Sequence, residues 1–350
     1  MIRVGWATAG LRACMSGPAI VLVLASTVVS LGAGQGSRKL DKDQEQEGQA
    51  LVRILQDVGA GQAAPSDFAV TWDNHFLRAR DGNTYLPYTV TVTDPASLAS
   101  PSLAVLVRVV PKGQAPTGQP AVTQANDEKK TADSGGPFLY FVDAKPGQAG
   151  QPYRFRRALQ VKPGEYDVYV AMKERAVAGK PDVRPRVTVL KHALGVPGFA
   201  SAEFGLSSVI VAEKAEALTT PATPEQQSEK PYAIGLMDLV PGTKLANTQE
   251  LTVYFQIYNP AVDAAKKPDL RVDYTFYRRQ ESGDRALGTE TQVQNAATLA
   301  PQFEVGKFLL FECRAWPLQG FPTGAYRLDI KVTDKLSGKA ITANVGFTVG

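Results

Sequence analysis

Phe321-Pro322-Thr323-Gly324-Ala325-Tyr326-Arg327-Leu328-Asp329-Ile330-Lys331-Val332 passes from turn formers into an unbroken alternation of apolar and charged residues. Tyr326, Leu328, Ile330 and Val332 share one side, and Arg327, Asp329 and Lys331 share the other. A period of two marks a half-buried strand of an antiparallel sheet. Pro163-Gly164-Glu165-Tyr166-Asp167-Val168-Tyr169-Val170 repeats the arrangement earlier in the chain. A Gly-x-Tyr entry into a strand, used twice, predicts two β-sandwich units in tandem.

Outward from these strands, the composition agrees. A chain of 350 residues with 44% hydrophobic and 21% charged content can build two ordinary cores. Its 24 prolines and 31 glycines suit many turns between short strands. Residues 1–36 read as an export signal: Arg3 and Arg12 precede the apolar run from Pro18 to Ala33, and small residues close it at Gly32, Ala33 and Gly34. An uncleaved segment would be the one membrane attachment. The expected location is periplasmic or secreted. Without Arg3 and Arg12 the formal charge of +4 falls to +2, too little to argue for nucleic acid as a partner. Cys14 lies in the signal, so Cys313 remains without an internal disulfide partner, and the cores must supply the stability.

Residues 37–66 form a polar segment with one short helix, set by Ala50, Leu51, Ile54, Leu55 and Val58 and stopped at Gly59 and Gly61. The first sandwich is expected over 67–218. Its strands run from Phe68 to Ser207–Ala212, and a hydrophilic insertion at 113–136 reads as a mobile loop. Thr219 to Lys230, rich in Pro, Thr and Gln, is the expected linker, and 231–350 is the second sandwich. The fold class is therefore all-β: two antiparallel sandwiches with a short N-terminal helix. The second unit has the size of one seven-stranded immunoglobulin-like domain.

Gly324-Ala325-Tyr326-Arg327-Leu328 resembles the tyrosine corner of immunoglobulin and fibronectin-like sandwiches. That resemblance implies structural roles for Tyr326 and, by echo, Tyr166. Leu194-Gly195-Val196-Pro197-Gly198-Phe199 with Leu206–Ala212, and the C-terminal run from Gly324 to Val349, resemble the secreted β-rich tails of acidobacterial GWxTD-type and von Willebrand A-related proteins. The GWxTD sequence and the A-domain metal motif are absent. The resemblance implies an exported sandwich and carries over no active site.

No residue constellation spells out a chemistry. His75 and His192 stand in separate segments, and no nucleophile, metalloprotease or phosphate-loop motif occurs. The chain therefore reads as a non-enzyme, with no catalytic, cofactor or metal residues assigned. A hydrolase with paired carboxylates is the enzymatic alternative. Asp73-Asn74-His75 with Asp81-Gly82-Asn83 gathers oxygen ligands suited to calcium, but Asp-Gly-Asn is first a turn sequence. Tyr153-Arg154-Phe155-Arg156-Arg157 reads as a solvated basic strand.

Alternation in Leu251–Tyr258 and Leu270–Arg278 turns Tyr254, Tyr258 and Tyr277 outward. If those strands are neighbours, Arg271 and Arg278 border an aromatic patch. Such faces bind proteins or sugars, although tyrosine is also a common strand former. The expected function is an exported binding or structural module of the cell envelope that recognises an envelope or extracellular protein. A carbohydrate-binding module is the alternative, and it requires exposed rings among Tyr254, Tyr258, Trp72 and Trp316. Strand addition at an open edge is a further mode of assembly.

Overall fold

The computed structural model describes residues 40–79, 82–116, 123–124, 138–144, 151–176, 184–199 and 201–350. The expected signal at 1–36, most of the 113–136 insertion and Asp81 lie outside the described residues. The chain is all-β with an N-terminal helix, and it divides into two compact units.

The first unit begins with helix α1 (Lys42–Gly59). Its start precedes the apolar stripe because Asp41 and Gln44 form a capping box: the Asp41 side chain accepts from the Gln44 amide at 2.8 Å, and the Asp41 amide donates to the Gln44 side chain. Nine strands follow: β1 (Val70–Asn74), β2 (Leu77–Arg78), β3 (Thr84–Val92), β4 (Ser102–Pro111), β5 (Thr123–Gln124), β6 (Phe138–Asp143), β7 (Tyr153–Val161), β8 (Gly164–Glu174) and β9 (Val187–Val196). One sheet joins β1, β2 and β7 to β3; the other runs β5-β6-β4-β8-β9. Leu86, Tyr88 and Val90 of the first sheet share a core with Val105, Val107, Val168 and Val170 of the second. On the opposite face of the second sheet, Leu51 and Leu55 of α1 pack on Ala104, Leu106, Tyr169 and Ala171. Burying each leucine stabilises the helix by roughly 1.5–3 kcal/mol. Lys173 donates to Glu47 at 2.6 Å beside this contact. Within the insertion, Thr123 and Gln124 are strand residues, paired in parallel with Phe138 and Leu139.

Helix α2 (Pro224–Glu229) stands where the sequence suggested an unstructured linker. Thr223-Pro224-Glu225-Gln226 is itself a capping box with proline at the first helical position, a start signal that composition obscured. Residues 223–231 belong with the first unit, where the Tyr85 hydroxyl donates to the Pro231 carbonyl at 2.8 Å.

The C-terminal unit comprises β10 (Gly205–Leu206), β11 (Ile210–Ala217), β12 (Ala233–Ile234), β13 (Met237–Pro241), β14 (Lys244–Leu245), β15 (Glu250–Tyr258), β16 (Leu270–Arg278), β17 (Arg285–Gln294), β18 (Phe311–Pro317), β19 (Gly324–Asp334) and β20 (Ala340–Val349). The sequence reading placed Ser207–Ala212 in the first sandwich. It pairs instead with the C-terminal unit, Ile210 opposite Tyr254 and Ala212 opposite Thr252. One sheet is ordered β10-β15-β11-β13-β12 with β18 on the other side of β15; the second is β14-β20-β19-β16-β17. Val253, Phe255 and Ile257 from one sheet interlock with Val272, Tyr274, Leu328 and Ile330 from the other.

The two Gly-x-Tyr entries have the same backbone. Gly164 and Gly324 adopt φ of 153° and 151°, values that favour glycine. Their tyrosines differ. Tyr326 is buried between Phe321 and Phe347, and its hydroxyl donates to the Pro322 carbonyl four residues upstream. Tyr166 is half-buried, with its ring lying over Gly164.

Candidate functional site

The expected patch does not assemble, because β15 and β16 belong to different sheets. The segment between them crosses from one layer of the sandwich to the other, so Tyr254 and Tyr258 cannot adjoin Tyr277. Nor do Tyr254 and Tyr258 face solvent: they are 1% and 5% exposed. Gln256 stands between them, donating to the Tyr254 hydroxyl at 3.0 Å and accepting from the Tyr258 hydroxyl at 2.7 Å. This i, i+2 ladder satisfies the polar atoms of a buried face. Burial, above all, pushes the Tyr254 hydroxyl far up its scale. Trp316 is also buried, and Trp72 is half-buried with its ring stacked on Tyr88 at 4.3 Å.

Tyr277 and Arg271 do lie on the outward face of β16, but six residues apart, about 20 Å along a strand. Arg278 turns to the end of the core, opposite Tyr326, and donates to the Thr323 carbonyl at 3.2 Å. The face that carries Tyr277 is four strands wide. Register aligns Gly346, Arg327, Tyr277 and Ala286 in one row across it, and Asn344, Asp329, Thr275 and Thr289 in the next. Thr342, Lys331, Asp273 and Thr291 form a third row.

Its side chains are tied to one another. The Arg327 guanidinium lies 4.4 Å from the Tyr277 ring centroid and donates to Asp329 at 2.8 Å as well as to Asp284. Asp273 accepts from Arg271 at 2.9 Å and from Thr291 at 2.6 Å. The Thr275 and Thr289 hydroxyls are 2.9 Å apart. Such ties restrain the polar groups on this face, a form of preorganisation. Burial disfavours the Arg327 charge, but Asp329 and Asp284 outweigh it and raise the guanidinium further.

Between the edges of the two sheets lies a second polar assembly that the sequence reading missed. Glu312, Arg314 and Trp316 of β18 point into the sandwich and meet Tyr274 and the side chains of Glu290, Gln292 and Gln294 from β17. Glu290 accepts from Arg314 at 2.7 Å and from the Trp316 indole at 2.6 Å. Glu312, 6% exposed, accepts from the Tyr274 hydroxyl at 3.0 Å and from Gln294. Burial pushes Glu290 up, but the bonds from Trp316, Arg314 and Gln292 outweigh it and hold the carboxyl below its ordinary value. At Glu312 burial wins: the bonds from Gln294 and Tyr274 leave its carboxyl above the ordinary range. The signal lay in the sequence, as Glu290, Gln292 and Gln294 share one parity.

At the suggested calcium hairpin, Asn74 accepts from the Trp72 indole at 2.8 Å, and His75 is buried. Among the described residues, no three of His, Cys, Asp or Glu gather closely enough to hold a metal ion. In the basic strand β7, Arg157 lies over the Phe155 and Tyr140 rings at 4.6 and 5.2 Å.

No family model matches the chain, and no curated protein matches it. Two solved structures of Bacteroides uniformis beta-glucuronidase 2 show a distant likeness. One, covalently bound to cyclophellitol-6-carboxylate aziridine, is 12% identical with a TM-score of 0.22, over 75% of this chain and 26% of that one. The other, a calcium-binding mutant, is 11% identical with a TM-score of 0.22, over 79% and 28%. The chain thus spans about a quarter of the length of these enzymes.

Proposed function

We propose that this chain is an exported, non-catalytic binding or structural module of the cell envelope, built from two immunoglobulin-like sandwiches, and that it recognises a protein partner through a sheet face. The observation that carries the reading is the outward face of β17-β16-β19-β20. It is exposed or half-exposed across all four strands, with Arg271, Tyr277, Arg327 and Lys331 among fixed threonines and aspartates. Tyrosine and arginine are enriched among the few residues that dominate binding energy at protein interfaces. The immunoglobulin-like reading of the C-terminal unit draws on the Tyr326 back-bond and on the parallel pairing of β14 with β20.

A carbohydrate platform would need coplanar exposed rings; Tyr254, Tyr258 and Trp316 are buried, and Trp72 is half-buried, stacked on Tyr88. A paired-carboxylate hydrolase would need free carboxylates, whereas Glu290 and Glu312 are occupied by donors from the chain itself. The test is crosslinking of the purified chain to envelope extract from the producing organism, alongside a Tyr277→Ala, Arg271→Glu variant that melts like the parent. The reading expects one protein captured by the parent and lost in the variant. Equal capture by both would reject the face.

A further inference from the structure

The edges of the C-terminal sandwich are guarded unequally. β17, at one end of its sheet, carries Arg285 and the inward-turned Glu290, and its pairing with β16 shifts register at Phe276 and Tyr277. β18, at an edge of the facing sheet, carries Glu312 and Arg314. Inward charges and bulges keep a sheet edge from pairing with another chain. β20 has neither. Its sequence, Ala340-Ile341-Thr342-Ala343-Asn344-Val345-Gly346-Phe347-Thr348-Val349, holds no charge and no proline, and its pairing with β19 runs without a shift.

The cover over this strand is short. β14 pairs only with Thr348 and Val349, and among the described residues no strand lies beside Ala340–Phe347 on that side. Backbone direction follows from the bonds at either end. The Thr348 amide donates toward β14, to the Thr243 carbonyl at 2.7 Å, whereas the Lys339 carbonyl accepts from Asp334 on the β19 side. Alternation along the strand then turns the amides and carbonyls of Ala340, Thr342, Asn344 and Gly346 out of the sheet edge. These four residues are exposed. Between them Ile341, Ala343 and Val345 turn toward the core yet stay half-buried, an apolar rim without a neighbour strand.

We propose that this edge pairs antiparallel with the same edge of a second copy of the chain, joining two sheets into one. One register uses every outward backbone group. In it Thr342 opposes Asn344 of the second copy, Ala340 opposes Gly346, and Ala343 lies on the two-fold axis. Ala343 then meets its own counterpart in a non-hydrogen-bonded pair, where Cα atoms approach to about 4.5 Å and a small side chain fits. On the core side Ile341 meets Val345, so each copy covers the other's rim. Self-pairing of one surface is the isologous contact of a two-fold dimer. An uncharged strand suits it, because like charges set directly opposite would repel. The dimer does not depend on the binding reading, although it would set two copies of that face side by side.

Sedimentation of the purified full chain over a dilution series tests the pairing. The expected result is a reversible dimer. Asn344→Pro removes an outward amide that β19 does not use, so it should leave the fold intact and weaken dimerisation on the order of tenfold or more. A chain with Thr342→Lys and Asn344→Lys, both at exposed positions, should be monomeric, as should one with Thr342→Glu and Asn344→Glu. Mixing the two should restore the dimer, because each lysine then faces a glutamate. That mixture decides the matter if Asn344→Pro does not fold. A parent that stays monomeric at every dilution, which would leave the edge to a foreign segment, overturns the proposal. So does a dimer that the proline and lysine variants leave intact, or a mixture that stays monomeric.

Discussion

Strands β15 and β16 read almost alike: each alternates core residues with polar or tyrosine positions. In the structure they part company. In β15 both sides are buried, Tyr254, Gln256 and Tyr258 on one and Val253, Phe255 and Ile257 on the other, whereas Asp273, Thr275 and Tyr277 of β16 remain accessible on the side away from the core. Alternation states which residues share a side. It does not state whether that side is covered, because cover comes from elements remote in sequence. Which side of a strand stays accessible is therefore set by topology, not by the strand's own pattern.

The sharpest way to break this contrast is to truncate both tyrosines. Tyr254→Ala should cost about 3–5 kcal/mol, as for other buried aromatics. Tyr277→Ala should stay within about 1 kcal/mol, as for surface sites. Urea unfolding midpoints compare the two, and equal losses would erase the distinction.

A smaller effect separates the two Gly-x-Tyr entries. Tyr326→Phe removes the bond to the Pro322 carbonyl and should cost roughly 1–2 kcal/mol. Tyr166→Phe, at a half-buried ring, should change stability by less than about 0.5 kcal/mol. Thermal melts of the two variants check this.

Acid sensitivity offers a third comparison, between Asp334 and Glu312. Burial pushes Asp334 up, but bonds from Ser337 and the amides of Ala261, Ser337 and Leu336 outweigh it and hold the carboxyl low. A carboxyl held low in the folded state stabilises above its unfolded pKa, and that gain is lost as pH falls through the folded value. Glu312 has the opposite sign: its contribution is complete below the unfolded pKa and lost as pH rises through the folded value. Asp334→Asn should flatten the acid limb of the stability curve, and Glu312→Gln the limb on the other side. Denaturation as a function of pH reads both. A small effect is likewise expected at Arg271→Ala, whose exposed pair with Asp273 should contribute under about 1 kcal/mol.

Much of the fold was legible. The strands at Tyr153–Val161, Leu270–Arg278 and Ala340–Val349 announce themselves by period and by flanking turns. α1 was visible in its apolar stripe, although its first turn needed the Asp41 cap to be recognised. β11 was assigned to the wrong unit because a strand's pattern carries no record of its partner. The site was less legible. Tyr277 and Arg271 share the accessible side of β16 as expected, but their separation follows from position along one strand, and Tyr254 and Tyr258 part from them because β15 lies in the other sheet and is covered. Glu312 went unnoticed because a charged residue on an edge strand looks like a solvent-facing one.

The account rests on the face of β16 being the contact surface, and site-specific photocrosslinking tests that directly. A photoreactive phenylalanine is placed at Tyr277 in one sample and at the exposed Lys191 of β9 in another, and both are irradiated with envelope extract. The account predicts a single protein adduct at Tyr277, competed away by unlabelled parent chain but not by the Arg271→Glu, Tyr277→Ala variant. The same adduct at Lys191 and none at Tyr277, or competition by the variant as strong as by the parent, would contradict it.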